Sequence, residues 1–201
     1  RRRARQEGEE RVEAFGVETE AAPNLIYKDG ESFDTMIELA SKMLDSALAD
    51  WSDHYLIKGV AEAFVVVVPG LSQKLIGEFD FVVHDGPDPC IVDWKTSAAR
   101  WPVGKADRDL QATVFSYAYW KQHGKRPLFR FDVTTKAKTP VCESHYTVRD
   151  RQDFERFEFL AGRVEQAINN GVFLPSETSF ACAECPYAKR CRSWHCKSKV
   201  R

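Results

Sequence analysis

The stretch from Leu75 to Thr96 constrains the fold more than any other part of the sequence. At its centre, Asp85-Gly86-Pro87-Asp88-Pro89 is a turn. Glycine tolerates the backbone a tight reversal needs, and proline cannot donate to a central strand ladder. Before the turn, Leu75 to His84 alternates, placing Leu75, Gly77, Phe79, Phe81 and Val83 on one face and Ile76, Glu78, Asp80 and Val82 on the other. After it, Cys90 to Thr96 is a short apolar strand. Glu62 to Pro69 is rich in β-branched and aromatic residues and ends at the turn signal Pro69-Gly70. The three segments predict an antiparallel meander, and a sheet this small needs a second layer to cover it.

Helical spacing supplies that layer. Phe33, Met36, Ile37, Ala40, Met43, Leu44 and Ala47 predict an amphipathic helix over about 32–50. A second helix is expected over Asp107 to His123, with Leu110, Val114, Tyr117, Ala118 and Lys121 as its stripe and Gly124 as its stop. Leu128 to Thr134 and Val141 to Val148 predict two further strands. Asp150 is placed to cap a long helix with the stripe Phe154, Phe157, Leu160, Ala161, Val164 and Ile168, closed by Gly171. The expectation is an α/β fold, a small mixed sheet flanked by helices. It divides into an N-terminal helical segment (1–61), a core (62–174) and a cysteine-rich tail (175–201) packed on the same domain.

The chemistry concentrates at Asp93-Trp94-Lys95. Residues two apart on a strand share a face, so Asp93 and Lys95 project together and Trp94 points away. A carboxylate binds a hard divalent cation, and a neighbouring ammonium can stabilise phosphate charge or orient a water. A lone acid-x-lysine is usually a surface ion pair. Here the hairpin brings a second carboxylate, Asp80, to the same end of the sheet. Gly77, three residues earlier, permits close backbone approach. Glu62, on the preceding strand, is a further candidate ligand, and Glu78 a weaker one.

Gly77-Glu-Phe-Asp80, then Asp93-Trp-Lys95-Thr96, then Asp109-Leu-Gln111 opening a helix together resemble the PD-(D/E)XK nuclease superfamily in its RecB-like branch. The likeness covers residues 62–122 and extends to the tail. It implies a restriction-endonuclease-like core that cleaves DNA with Mg²⁺ or Mn²⁺, by exonuclease action in recombination, repair or phage replication. On the same basis Asp80 and Asp93 are metal ligands, joined by the backbone carbonyl of Trp94. Lys95 is then the catalytic lysine, and Gln111 positions the phosphate or the lysine.

The sequence departs from the family pattern in two places. Phe115 stands where the family carries a tyrosine one turn after the glutamine, with Tyr117 and Tyr119 as possible substitutes. Relatives of this branch often carry a metal-binding histidine on a helix before the first strand; no histidine lies within the 32–50 helix, so His54 or Glu62 takes that role or the histidine-bearing helix lies upstream of residue 1. The alternative is a nuclease fold without activity, which holds DNA or a protein partner.

Four cysteines, Cys182, Cys185, Cys191 and Cys196, crowd into the last twenty residues. Such clustering reads as a metal site before a disulfide framework. Three readings stand. By resemblance, Cys182, Cys185 and Cys191 match the C-terminal trio of a [4Fe–4S] cluster whose fourth cysteine lies far upstream in the family; here either Cys196 is the fourth or the upstream cysteine is absent from this chain. By spacing alone the four suit a tetrahedral Zn²⁺ site. Otherwise they serve as packing. An interaction module of zinc-ribbon type would put the function in this tail and leave the order of Asp80, Asp93, Lys95 and Gln111 as coincidence.

The net charge of −1 does not by itself announce a nucleic-acid partner. Any basic surface must be local, and the ends offer Arg1, Arg2, Arg3, Arg5 and the tail from Lys189 to Arg201. Lys105 and Arg108, just after Lys95, are better placed to meet phosphates. Trp51, Trp101, Tyr117 and Tyr119 are candidates to stack on bases, although aromatic residues in such numbers more often form core. The longest apolar run, Ala63 to Pro69, is too short to span a bilayer. The resemblance implies a cytoplasmic protein of a bacterial, archaeal or phage-infected cell, with possible protein partners in a recombination or replication complex.

Overall fold

A computed structural model describes residues 27, 29–49, 51, 56–85, 87–176, 179–183 and 185–195. The strands are β1 (Leu56–Val66), β2 (Leu75–Asp85), β3 (Asp88–Ser97), β4 (Leu128–Thr135) and β5 (Cys142–Val148). The helices are α1 (Phe33–Ala49), α2 (Leu110–His123), α3 (Arg151–Asn169) and the short α4 (Ala188–His195). The strands form one sheet in the order β1-β2-β3-β4-β5. All neighbours are antiparallel except β3 and β4, whose parallel pairing needs the crossover that α2 supplies. The mixed α/β class is therefore as expected.

The two faces of the sheet differ. On one, Phe64, Phe79, Val82, Ile91, Phe129, Phe131 and Val133 pack beneath α2 and α3 in the main core. On the other, Val83, Cys90 and Val92 form a smaller cluster with Trp51, Phe81 and Trp94. There α1 lies across β4 and β5, yet none of its residues is buried.

Local signals explain the boundaries. The side chain of Asp150 accepts the Asp153 amide while Asp153 accepts that of Asp150, a complete capping box at the start of α3. Gly124 takes a left-handed φ of 70° and returns its N–H to the Trp120 carbonyl, closing α2. Gly77 has a different use. A Cβ there would come within 2.3 Å of the Phe64 ring, so the glycine makes room for a core aromatic.

Three expectations need correction. β1 begins at Leu56 rather than Glu62, through a bulge between Ile57 and Gly59, so this strand runs across the expected boundary at residue 61. The helix expected from Asp107 is a 3₁₀ turn over Ala106–Arg108 followed by α2. Asp109 caps α2 by accepting the Gln111 amide at 2.8 Å. The stripe of α2 is also broader than expected: Ala112, Ser116, Tyr117, Ala118 and Tyr119 are buried, while Leu110 is exposed. The helix is covered by the sheet on one side and by α3 on another, which a single-stripe reading does not anticipate.

Candidate functional site

The alternation of β2 breaks at the residue that matters most. Phe79 and Val82 face the main core, whereas Phe81 and Val83 face the smaller cluster. The side chains therefore change faces once between Phe79 and Phe81, and Asp80 sits at the change. The expected single face from Leu75 to Val83 is corrected accordingly. Across the β1 ladder, between the pairs Val60–Phe81 and Glu62–Phe79, Ala61 holds a positive φ of 49°. A non-glycine residue there carries local strain, and such outliers cluster at functional sites.

The sheet also forks here. The β2–β3 ladder ends at the pair Phe81–Val92, so residues 75–80 pair only with β1, while 93–97 pair only with β4. A ladder amide would be left without a partner at the fork. Instead the Trp94 N–H donates to Oδ2 of Asp80 at 3.1 Å. The side chain of Asp80 thereby replaces the backbone carbonyl that β2 would otherwise present. Its carboxylate is held against β3 beside Asp93.

Asp93 is 1% exposed. Gln111 Nε2 donates to its Oδ1 at 2.5 Å. Its Oδ2 forms an ion pair with the Lys95 ammonium. The Lys95 side chain is 33% exposed, so the pair opens to solvent on the lysine side. Trp94 turns to the opposite face, against Phe81 and Trp51. Burial pushes the Asp93 carboxyl above its ordinary range. The Lys95 contact opposes this, and the charges of Asp80 and Asp109 add to it. Asp93 thus feels two further carboxylates and one lysine, an excess of negative charge that a divalent cation would relieve.

The sequence reading missed Asp109 in this role. Its signal was present: an acid at the cap of the helix that delivers Gln111. Glu62 behaves differently. Its carboxylate folds over Gly59, where a Cβ would meet Oε2 at 2.2 Å, and it acts on Tyr119, whose hydroxyl burial and Glu62 both push up. It is not among the charges acting on Asp93. Glu78 is exposed. His54 lies outside the described residues.

Donor chemistry fits a hard cation at the fork. Mg²⁺ is commonly held by one or two carboxylates, with waters and a substrate phosphate completing the shell. Asp80, Oδ2 of Asp93 and the Trp94 carbonyl offer oxygen only. Among the described residues no three His, Cys, Asp or Glu side chains are grouped around one ion position. This holds for the tail as well, where Cys182 and Cys191 are exposed and Cys185 is half-buried. Cys196 lies outside the described residues.

The aromatic candidates are all engaged in packing. Phe115 contacts Phe64, Phe79 and Phe129, Tyr117 donates to Glu158, and Tyr119 packs on Phe79 and His123. Trp101 rests on Phe131 and His145, with the Lys105 ammonium 3.9 Å above its ring. Since Phe131 pairs with Asp93 in the sheet, this Trp101–Lys105 unit borders the carboxylates. An apolar cavity of about 410 Å³ lies between α1 and the sheet, lined by Met43, Leu44, Trp94 and Lys95. No helix among the described residues is long and apolar enough to cross a membrane.

Comparison with known proteins bears on this site. The sequence pattern of the PD-(D/E)XK nuclease superfamily matches residues 2–192. Among solved structures, a protein designated a candidate exonuclease from Eubacterium rectale overlays with a TM-score of 0.47 and 13% identity, over 89% of this chain and 68% of that one. The protein SSO0001 overlays with a TM-score of 0.49 and 16% identity, over 100% of this chain and 82% of that one. Both overlays are too loose to carry an assignment. No functionally curated protein matches the sequence.

Proposed function

Because this chain belongs to the PD-(D/E)XK nuclease superfamily, we propose that it is a divalent-metal-dependent DNA nuclease of RecB-like type that acts at strand ends. The observation that carries this reading is the fork. Asp80 is bonded to the Trp94 amide, and Asp93 is held between Gln111 and Lys95.

In this reading Asp80, Asp93 and the Trp94 carbonyl hold Mg²⁺ or Mn²⁺. The ion, when bound, supplies positive charge to the phosphate and makes a nearby water more acidic. Gln111 anchors one oxygen of Asp93 and so leaves the other directed at Lys95. Lys95, the part of the pair that reaches solvent, orients the attacking water and meets the charge that builds on the phosphate oxygens. Water forms the new bond to phosphorus and gives up a proton to solvent, while the bond to the leaving deoxyribose oxygen breaks and that oxygen takes up a proton from solvent. Lys105 and Arg108 lie on the path from Lys95 to α2 and would engage the DNA backbone. A nuclease acting at ends suits recombination, repair or phage replication.

The test is cleavage of end-labelled linear and circular DNA, single- and double-stranded, with Mg²⁺, Mn²⁺ or EDTA and a Lys95→Ala control. The expected result is metal-dependent loss of linear DNA alone, absent in the variant. Equal attack on circles would make it an endonuclease. DNA binding without cleavage at any metal would favour the inactive module.

A further inference from the structure

Gln111 reaches Asp93 only if the first turn of α2 is held at the right height above the sheet. That turn follows a long loop and the 3₁₀ turn at Ala106–Arg108, neither of which fixes a helix by itself. The fixing comes from elsewhere. Arg149, between β5 and α3, is 5% exposed, and its guanidinium is directed at this turn.

Each of its N–H groups has an acceptor. Nε donates to Thr113 Oγ1 at 2.7 Å. Nη1 donates to Thr147 Oγ1 at 2.5 Å and to the Val148 carbonyl at 3.1 Å. Nη2 donates to the carbonyls of Ala106 at 2.9 Å and Asp109 at 3.0 Å. Thr147 in turn donates to Asp107 Oδ1 at 2.7 Å. The guanidinium therefore grips the backbone two residues before Gln111 and a side chain two residues after it, and ties both to the end of β5. A planar fork with five donors can do this. A lysine, with three donors on one atom, cannot reach the same acceptors together.

We propose that Arg149 is a positioning residue of the site, a clamp that sets the reach of Gln111 to Asp93 without touching either. Its consequence for cleavage rests on the nuclease reading above. Its consequence for the Gln111–Asp93 bond does not.

The experiment has two arms, both on the full chain. The first follows the Gln111 side-chain amide by nitrogen-15 NMR, assigned by its loss in Gln111→Ala. Arg149→Lys should move this resonance to the position it takes in Asp93→Ala, while the amides of β3 and β4 stay dispersed. Thr113→Val removes one acceptor without changing shape, and should move the resonance part of the way. It stands in if Arg149→Lys does not fold. An unmoved Gln111 amide in the variants that fold would overturn the proposal.

The second arm is a kinetic cycle. Arg149→Lys should lower kcat by on the order of 10- to 100-fold with KM for DNA little changed. Placed on Gln111→Ala, the same change should cost less than about threefold more, since the clamp then has nothing to position. Equal losses in both backgrounds would make Arg149 merely structural. A wild-type protein that cleaves no DNA would remove the nuclease reading and leave the NMR arm to decide the clamp.

Discussion

The sheet fork and the cysteine tail carry two sets of side chains of the kind that bind metals, and the backbone that positions them differs. At the fork, the i and i+2 relation on β3 puts Asp93 and Lys95 on one face, and the hairpin delivers Asp80 to the same level. Regular backbone converts spacing in sequence into distance in space. In the tail, Cys182 lies in a 3₁₀ turn, Cys185 follows it, and Cys191 sits in the short helix α4. Cys182 Sγ contacts the Ser176 carbonyl at 3.2 Å. Spacing is a weak guide where no ladder or long helix transmits it.

The sharpest test of the fork is Asp93→Asn. Asparagine keeps the shape and can still accept from Gln111, but it removes the charge that the cation requires. Cleavage should fall on the order of 10³-fold or more. The melting temperature should hold or rise. The raised Asp93 pKa means that the folded state disfavours this carboxylate, so stability is fuller below the unfolded pKa and is lost as pH rises through the folded one. Asparagine escapes that loss. A variant that melts much earlier, in calorimetry at neutral pH, would make Asp93 a structural acid.

The same charge imbalance predicts metal-linked stability. Saturating Mg²⁺ or Mn²⁺ at about 100 times its dissociation constant should stabilise the fold by about 2.7 kcal/mol, read as a shift in melting temperature. Asp80→Asn should lose the shift. A shift that survives in this variant would place the ion elsewhere and dissolve the contrast with the tail.

Much of this was legible in the sequence, and the misreadings have physical causes. β3, β4 and α3 were found close to their observed ends because a turn, a glycine or a capping acid marks each. The early start of β1 was not legible, since Leu56-Ile57-Lys58-Gly59-Val60 bulges and does not alternate cleanly. The change of faces at Asp80 was hidden because both faces of β2 are apolar at that end: Phe81 and Val83 fill one core as well as Phe79 and Val82 fill the other. Asp93 and Lys95 lie side by side, as the two-residue strand spacing predicts, whereas Gln111, which only the resemblance brought to the site and assigned to the phosphate or the lysine, bonds Asp93. Arg149 gave no signal, because its partners are mostly backbone carbonyls and threonines far away in sequence.

Gly77 connects fold to fork through packing. Gly77→Ala would drive a methyl group into the buried Phe64 ring, on the strand arm that ends at Asp80. Overpacking of this kind costs about 1–3 kcal/mol. Denaturant titration should show that loss, and Phe64→Leu in the same chain should recover part of it. A neutral Gly77→Ala would mean that β2 adjusts freely and does not hold Asp80 against β3 by packing.

The tail should respond least. Cys182 is exposed and Cys185 half-buried, so replacing both with serine should change unfolding free energy by less than about 0.5 kcal/mol. Denaturant titration measures this, and metal analysis of the purified protein accompanies it. A structural zinc or iron–sulfur site would behave differently, because metal affinity there is folding free energy. Loss of several kcal/mol, with zinc or iron present in wild type and absent in the variant, would show that ligand binding gathers these cysteines. The tail would then depend on its metal for its geometry, whereas the carboxylates of the fork are brought together by strand pairing and the capped helix alone.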